Sequence, residues 1–145
     1  MTENELNVGV LMFIPYRAME NRVFAALAAG GFGDITLAQA RLLARIGPRG
    51  TRLTDLAEQS QVTKQTAGFL VDQLERTRYV ERAPDPTDGR ARLIRLSERG
   101  RRGVEIANAE AARVQAEWGE HLGARQMGQL RTILNRLREI TDPYA

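Results

Sequence analysis

Apolar positions change their spacing three times along this chain, and each change marks a different kind of element. Over residues 5–29, Leu6, Val10, Phe13, Ile14, Val23, Phe24 and Leu27 form an irregular apolar stripe that predicts a helix. Pro15 falls inside it, where the lost N–H and the ring's clash with the preceding turn should bend or split the helix. Gly30-Gly31-Phe32-Gly33 ends that stretch. Thr36-Leu37-Ala38-Gln39 is a capping-box pattern, and it opens a helix running to about Ile46, closed by Gly47-Pro48-Arg49-Gly50.

Two short helices follow in close succession. Thr54 with Asp55 behind it marks the start of the first, which turns Leu56 and Ala57 inward. Ser60-Gln61-Val62 makes a brief turn, and Thr63 caps a second helix through about Arg76. Its inner positions Ala67, Leu70, Val71 and Leu74 are spaced i, i+3, i+4, i+7. Such a pair is a helix-turn-helix. Beyond it the period drops to about two. Residues 79–83 and 92–96 read as strands, the second alternating Arg92, Ile94 and Leu96 against Leu93 and Arg95. The stretch 84–91 between them is too long for a tight hairpin and too charged to be buried, so it should project as a wing. Ser97 then caps a long helix to about Trp118, Gly119 and Gly123 bracket a break, and His121 falls in the turn between them. A last helix carries Met127, Leu130, Ile133, Leu134, Leu137 and Ile140.

The pattern predicts an α+β fold, mostly α: a winged helix-turn-helix core over 36–100, with recognition helix 63–76 and wing 84–91. An N-terminal helical segment (1–35) and C-terminal helices (101–145) flank it. The apolar stripes at both ends exceed what one small lobe can bury, so these helices are expected to form a dimer.

Composition narrows the class. In 145 residues, 43% hydrophobic and 27% charged, there is room for one folded domain and no sign of disorder. No apolar run approaches the ~18 residues of a membrane span, and the N-terminus lacks a secretory signal, so a cytoplasmic location is expected and no membrane partner. With no cysteine, disulfides and thiol switches are excluded. The net charge of +3 is uneven: residues 76–102 hold nine Lys/Arg against four Asp/Glu. That suggests either a local anionic partner such as a phosphate backbone, or a solvated charged face. Twenty of the twenty-one basic residues are arginine; the exception, Lys64, opens the recognition helix.

That helix's outward face would carry Gln65, Gly68, Phe69, Asp72 and Arg76. Gln65 can bond adenine bidentately, and Lys64 can reach guanine or phosphate. The Thr63 and Thr66 hydroxyls can bond phosphate at the helix N-terminus, or serve only as caps. Gly68 gives up ~1 kcal/mol of helix propensity, which suits a surface that approaches closely. Phe69 either meets a thymine methyl, a sugar or another chain, or tucks against a neighbouring element. Arg90 near the wing tip suits a minor groove, with Asp88 placed to orient its guanidinium, and Arg92 lies on the strand behind it.

The segments "VTKQTAGFLVDQLERTRYVER" and "PDPTDGRARLIRLSERG" resemble the winged core of the MarR family of bacterial regulators, and the flanking helix order is similar too. The resemblance implies a homodimeric regulator, most simply a repressor, that binds a pseudo-palindromic operator in double-stranded DNA and is released by a small anionic aromatic effector. A constitutive or architectural DNA-binding protein without effector is the alternative. Asp88 and Arg90 fall on the family's wing-tip pair, whereas Thr87 stands where many members have another arginine. An effector pocket, which the resemblance implies between the DNA-binding lobe and the dimerisation helices, would draw on Phe13, Tyr16 and Arg17; otherwise Phe13 and Tyr16 are dimer core and Arg17 a surface ion-pair partner. An enzyme is not expected. One histidine without cysteine cannot make a zinc site, no acidic residues show metal-ligand spacing, and no phosphate-binding glycine loop or cofactor motif is present.

Overall fold

The pattern resolves into six helices and three strands among the described residues of this computed structural model, which are residues 5–142. In chain order they are α1 (Val8–Ala29), α2 (Leu37–Leu43), β1 (Thr51–Arg52), α3 (Leu53–Gln59), α4 (Lys64–Arg76), β2 (Val80–Asp85), β3 (Asp88–Leu96), α5 (Glu98–Leu122) and α6 (Ala124–Thr141). They group into a winged unit, residues 30–105, and a helical unit formed by the chain's two ends, up to Ala29 and from Ile106.

In the winged unit the capping box forms as the sequence requires. Thr36 Oγ1 accepts the Gln39 N–H and the Gln39 side chain accepts the Thr36 N–H. The helix it opens ends at Leu43, three residues short of the expected Ile46, in a run of tight turns. Helix α3 is preceded by Arg52, whose side chain makes no cap bond, rather than beginning at Thr54. Thr63 caps α4, accepting the Thr66 N–H at 3.1 Å. Between α3 and α4, Gln61 takes a left-handed conformation (φ 57°), unusual for a residue with a Cβ, and closes the turn. The sheet is antiparallel in the order β1-β3-β2. Sequence reading missed β1, because two residues are too few to show alternation.

The wing differs from expectation as well. The strands continue to its tip, with Asp85 opposite Asp88 and a register shift between Pro84 and Asp85, so Pro86 and Thr87 alone make the turn. It is a tight ribbon and not an eight-residue loop.

The core of this unit is well sealed. Leu42, Leu56, Ala67, Val71, Leu74 and Tyr79 are wholly buried. The Tyr79 hydroxyl donates to Asp34, and the Arg99 guanidinium stacks 4.2 Å from the Tyr79 ring while bonding Asp34 and the Thr77 carbonyl. Burial and the Asp34 bond push the phenol up to about 12, and the same bond holds the Asp34 carboxyl below its ordinary range. Gly100 lies so close that a Cβ there would fall 2.1 Å from the Tyr79 carbonyl oxygen.

The helical unit is built differently. Helix α1 is continuous through Pro15. The proline forfeits one backbone bond in a helix of 22 residues, and the Asn7 side chain caps its start by accepting the Val10 N–H, so the helix is not split. Helix α5 is capped by Ser97, whose Oγ accepts the Gly100 N–H. It passes through Gly119 to Leu122, so only Gly123 (φ 85°) breaks the path to α6 and His121 lies in the last helical turn. Arg22 ties α1 to α5 by bonds to Glu110 and Glu117. No helix among the described residues is long and apolar enough to cross a membrane.

Candidate nucleic-acid interface

Helix α4 is positioned from behind. Ala67, Leu70, Val71 and Leu74 are buried as expected, which turns the opposite face to solvent. Gln73 accepts a bond from the buried Gln39, fixing α4 to α2. Arg82 on β2 grips Asp72 and Glu75, each at 2.7 Å. This clamp neutralises the acidic residue on the outward face, where a free carboxylate would repel phosphate.

On that face Lys64, Gln65, Thr66 and Phe69 are all exposed. Phe69 is 59% exposed, so it is not tucked against a neighbour. A Cβ added at Gly68 would meet only the Leu53 side chain at 3.9 Å, an ordinary contact. Packing therefore does not require glycine at 68. The Thr63 hydroxyl donates to that of Thr66 at 3.0 Å, so this pair is partly occupied with itself.

The wing carries its own anchoring. Asp85 is only 6% exposed, contrary to the expectation that this charged stretch avoids burial. Its Oδ1 accepts the Thr87 N–H at 2.8 Å and the Thr87 hydroxyl at 2.7 Å, and its Oδ2 accepts from Arg52 at 2.7 Å. The Thr87 bonds foremost, with Arg52, hold this carboxyl down at about 2. Three groups, the Thr87 amide and hydroxyl and the Arg52 guanidinium, answer this one carboxylate and offset the cost of burying it. At the tip Asp88 accepts the Arg90 backbone N–H at 3.0 Å. This bond shapes the turn that carries Arg90. Arg90 and Arg92 are exposed.

Sequence reading missed Arg52 and Asp85. The pattern Asp85-Pro86-Thr87, an aspartate two residues before a donor, is an Asx-turn signal that could have flagged the carboxylate. Nothing in the sequence points to Arg52, which lies 33 positions away from its partner.

The helical unit holds an apolar groove of about 650 Å³, lined by Phe13, Tyr16, Trp118, His121, Leu134 and neighbours from α1, α5 and α6. Arg17 is not in its lining and pairs with Glu20 at 3.3 Å. Among the described residues no group of three or more His, Cys, Asp or Glu side chains could hold a metal.

Residues 33–91 match the MarR family model. The transcriptional activatory protein BadR of Rhodopseudomonas palustris is 30% identical over 93 residues, which cover 64% of this chain and about half (52%) of that protein's length. A MarR family protein of Mycobacterium tuberculosis, solved with salicylic acid, is 25% identical with a TM-score of 0.65, covering 92% of this chain and 98% of that one. CouR of Rhodococcus jostii, solved with p-coumaroyl-CoA, shares the fold (TM-score 0.73) at 24% identity, covering 96% and 94%. In its winged core, residues 33–91, this chain is similar to the MarR family of transcriptional regulators, and the helix order around that core is similar to that of the solved structures.

Proposed function

We propose that the chain acts as a homodimer that recognises a pseudo-palindromic DNA operator, with α4 in the major groove and the wing in the adjacent minor groove. The observation that carries this reading is the outward face of α4, where an exposed phenylalanine and a glycine that packing does not require stand beside Gln65 and Lys64. Exposing a large ring and giving up helix propensity is sensible where a base-pair edge covers both. Gln65 is assigned to adenine, Phe69 to a thymine methyl, and Lys64, Thr63 and Thr66 to phosphate or a neighbouring base. Arg90, with Asp88 shaping its turn, is assigned to the minor groove, and Arg92 to the backbone beside it.

Dimerisation falls to the helical unit. Phe13 and Tyr16 belong to the apolar face that a second copy would cover, and two recognition helices would then address half-sites about one helical turn apart. Release by a small anionic aromatic ligand is supported by the salicylic acid complex of the mycobacterial relative. Repression by occupying a promoter is the simplest outcome. Activation is the second reading, favoured by the name of the BadR relative.

The test uses a duplex selected by the protein from a random library, beside a scrambled control, at several salt concentrations. Gln65→Ala should lose ~1–3 kcal/mol on the selected duplex and little on the control. Arg90→Ala should weaken both and lower the salt slope by about one unit per subunit. Equal losses for Gln65→Ala on both duplexes would remove the base-reading assignment. Replacing each thymine by uracil should weaken the wild type at one position per half-site and leave Phe69→Ala indifferent. Titrating salicylate against the complex separates an effector-released regulator from a constitutive one.

A further inference from the structure

We propose that Arg52, Asp85 and Thr87 form a clamp that fixes the wing tip relative to the helix-turn-helix, making Arg52 and Asp85 positioning residues for operator binding. The inference rests on the reading of α4 and the wing as the DNA-contacting elements.

Strands β1 and β2 are the outer strands of the sheet, with β3 between them. β1 pairs only with Ile94 and Leu93. Everything further out along the wing is therefore a two-stranded ribbon, and such ribbons are marginal by themselves in water. The ribbon is weakened again where its register slips between Pro84 and Asp85. Directly after that slip stands a buried carboxylate, in a stretch whose exposed side chains Arg90 and Arg92 are cationic. For an element that meets phosphate, a negative charge is a liability unless it does something else. Here it binds at both ends of a span. One oxygen closes the turn through the Thr87 amide and hydroxyl, and the other takes the Arg52 guanidinium, reaching across from β1. Arg52 is also the residue immediately before α3, and α3 leads through the Gln61 turn into α4. The ion pair thus joins the wing tip to the start of the helix-turn-helix. Thr87 Oγ1 also lies 3.5 Å from the Arg52 guanidinium, at the limit of a hydrogen bond.

The consequence is register between two grooves. A wing held in place reaches the minor groove when α4 is seated, whereas a loose wing must be ordered on binding and loses affinity accordingly. Non-specific binding, which needs only charge, does not depend on that register.

Asp85→Asn, Arg52→Gln, Arg52→Lys and Thr87→Val would be measured on the selected and scrambled duplexes at several salt concentrations. Tryptic cleavage after Arg90 in the free protein would be followed in parallel. Asp85→Asn should lower selected-duplex affinity about tenfold and leave the scrambled duplex equal or tighter, because order is lost while positive charge is gained. Cleavage after Arg90 should speed up. Arg52→Lys, which keeps the charge but loses the planar fork, should fall between wild type and Arg52→Gln. Thr87→Val keeps the shape of an exposed residue, so it should fold and show a smaller loss in the same direction. Equal losses on both duplexes, or selected-duplex affinity unchanged beside a lowered melting temperature, would overturn the clamp. So would a salt slope reduced by about one unit in Arg52→Gln, which would make Arg52 a phosphate ligand. If the wild type selects no duplex at all, the DNA-reading assignment fails first and takes the clamp's role with it.

Discussion

The winged unit and the helical unit are made from the same apolar vocabulary and use it in opposite ways. Of the seventeen buried hydrophobic side chains among the described residues, fifteen lie between Phe32 and Ile94, and only Leu27 and Val114 belong to the helical unit. The exposed large hydrophobics reverse that division. Phe69 is the single one in the winged unit, while Leu6, Val8, Leu11, Phe13, Ile14, Tyr16, Ile133 and Ile140 are among those in the helical unit. Helix α6 has no buried residue at all. An isolated exposed apolar side chain is ordinary on a soluble protein, but a field of them on two helices, α1 and α6, marks a surface suited to being covered. The winged unit is sealed by its own residues. The helical unit leaves its apolar faces open.

The strongest way to break this comparison is to charge the uncovered face. Leu134→Glu places a carboxylate in the apolar groove, where covering it without a partner costs several kcal/mol. Sedimentation should show a monomer, and operator binding should fall by more than about a hundredfold as the second half-site is lost. The winged unit should keep its fold, because no residue of its core is touched. A variant that stays dimeric with full operator affinity would show that α6 is not part of the seam.

Glycine substitutions probe the same contrast with smaller effects. Gly100→Ala drives a Cβ to 2.1 Å from the Tyr79 backbone oxygen, which no rotamer change can relieve. Thermal or denaturant unfolding should show a loss of about 1–3 kcal/mol or more. Gly128→Ala on α6 meets nothing within 4 Å, so it should cost nothing and gain up to ~1 kcal/mol of helix propensity. A large loss at Gly128 would mean that the partner approaches the α6 backbone closely, which would locate the seam more sharply.

The two units were also unequally legible in the sequence. The buried face of α4, its Thr63 cap and the Thr36–Gln39 box could be read because each depends on spacing within one helix. The irregular stripe of α1 gave the helix and not its partner, since its apolar residues face no single side within the chain. What escaped detection depends on long-range pairing. Strand β1 exists only because Ile94 and Leu93 come to lie beside it, and the Tyr79–Asp34–Arg99 cluster joins positions up to 65 apart. The C-terminus of α4 falls at Arg76, as read from the sequence, although Arg78 rather than the usual glycine takes the left-handed position beyond it (φ 68°). At the candidate interface, Gln65, Gly68 and Phe69 could be placed on one outward face by period alone. The wing tip could not be read, because its shape follows from a buried carboxylate whose partner lies on another strand.

Acid titration gives the smallest effect, and it separates the units by their own probes. Asp85 has its carboxyl lowered from the ordinary value near 3.8 to about 2 by the Thr87 bonds and Arg52. A depressed carboxyl adds stability that is fully present above its unfolded value and is lost as pH falls through its folded value. The winged unit should therefore weaken between about pH 4 and pH 2. Asp34, lowered chiefly by its Tyr79 bond, contributes in the same direction, and so do Glu110 and Glu117 in the helical unit through their bonds to Arg113 and Arg22. Asp85→Asn removes one titrating group from the winged unit alone and should flatten that part of its acid limb. The sole tryptophan, Trp118, lies on α5 within the helical unit, so its fluorescence reports that unit, while far-ultraviolet dichroism reports both. If the units unfold separately, Asp85→Asn moves the dichroism limb and leaves the fluorescence limb in place. If both limbs shift together, the two units melt as one cooperative body, and their difference lies in what each buries and not in how each unfolds.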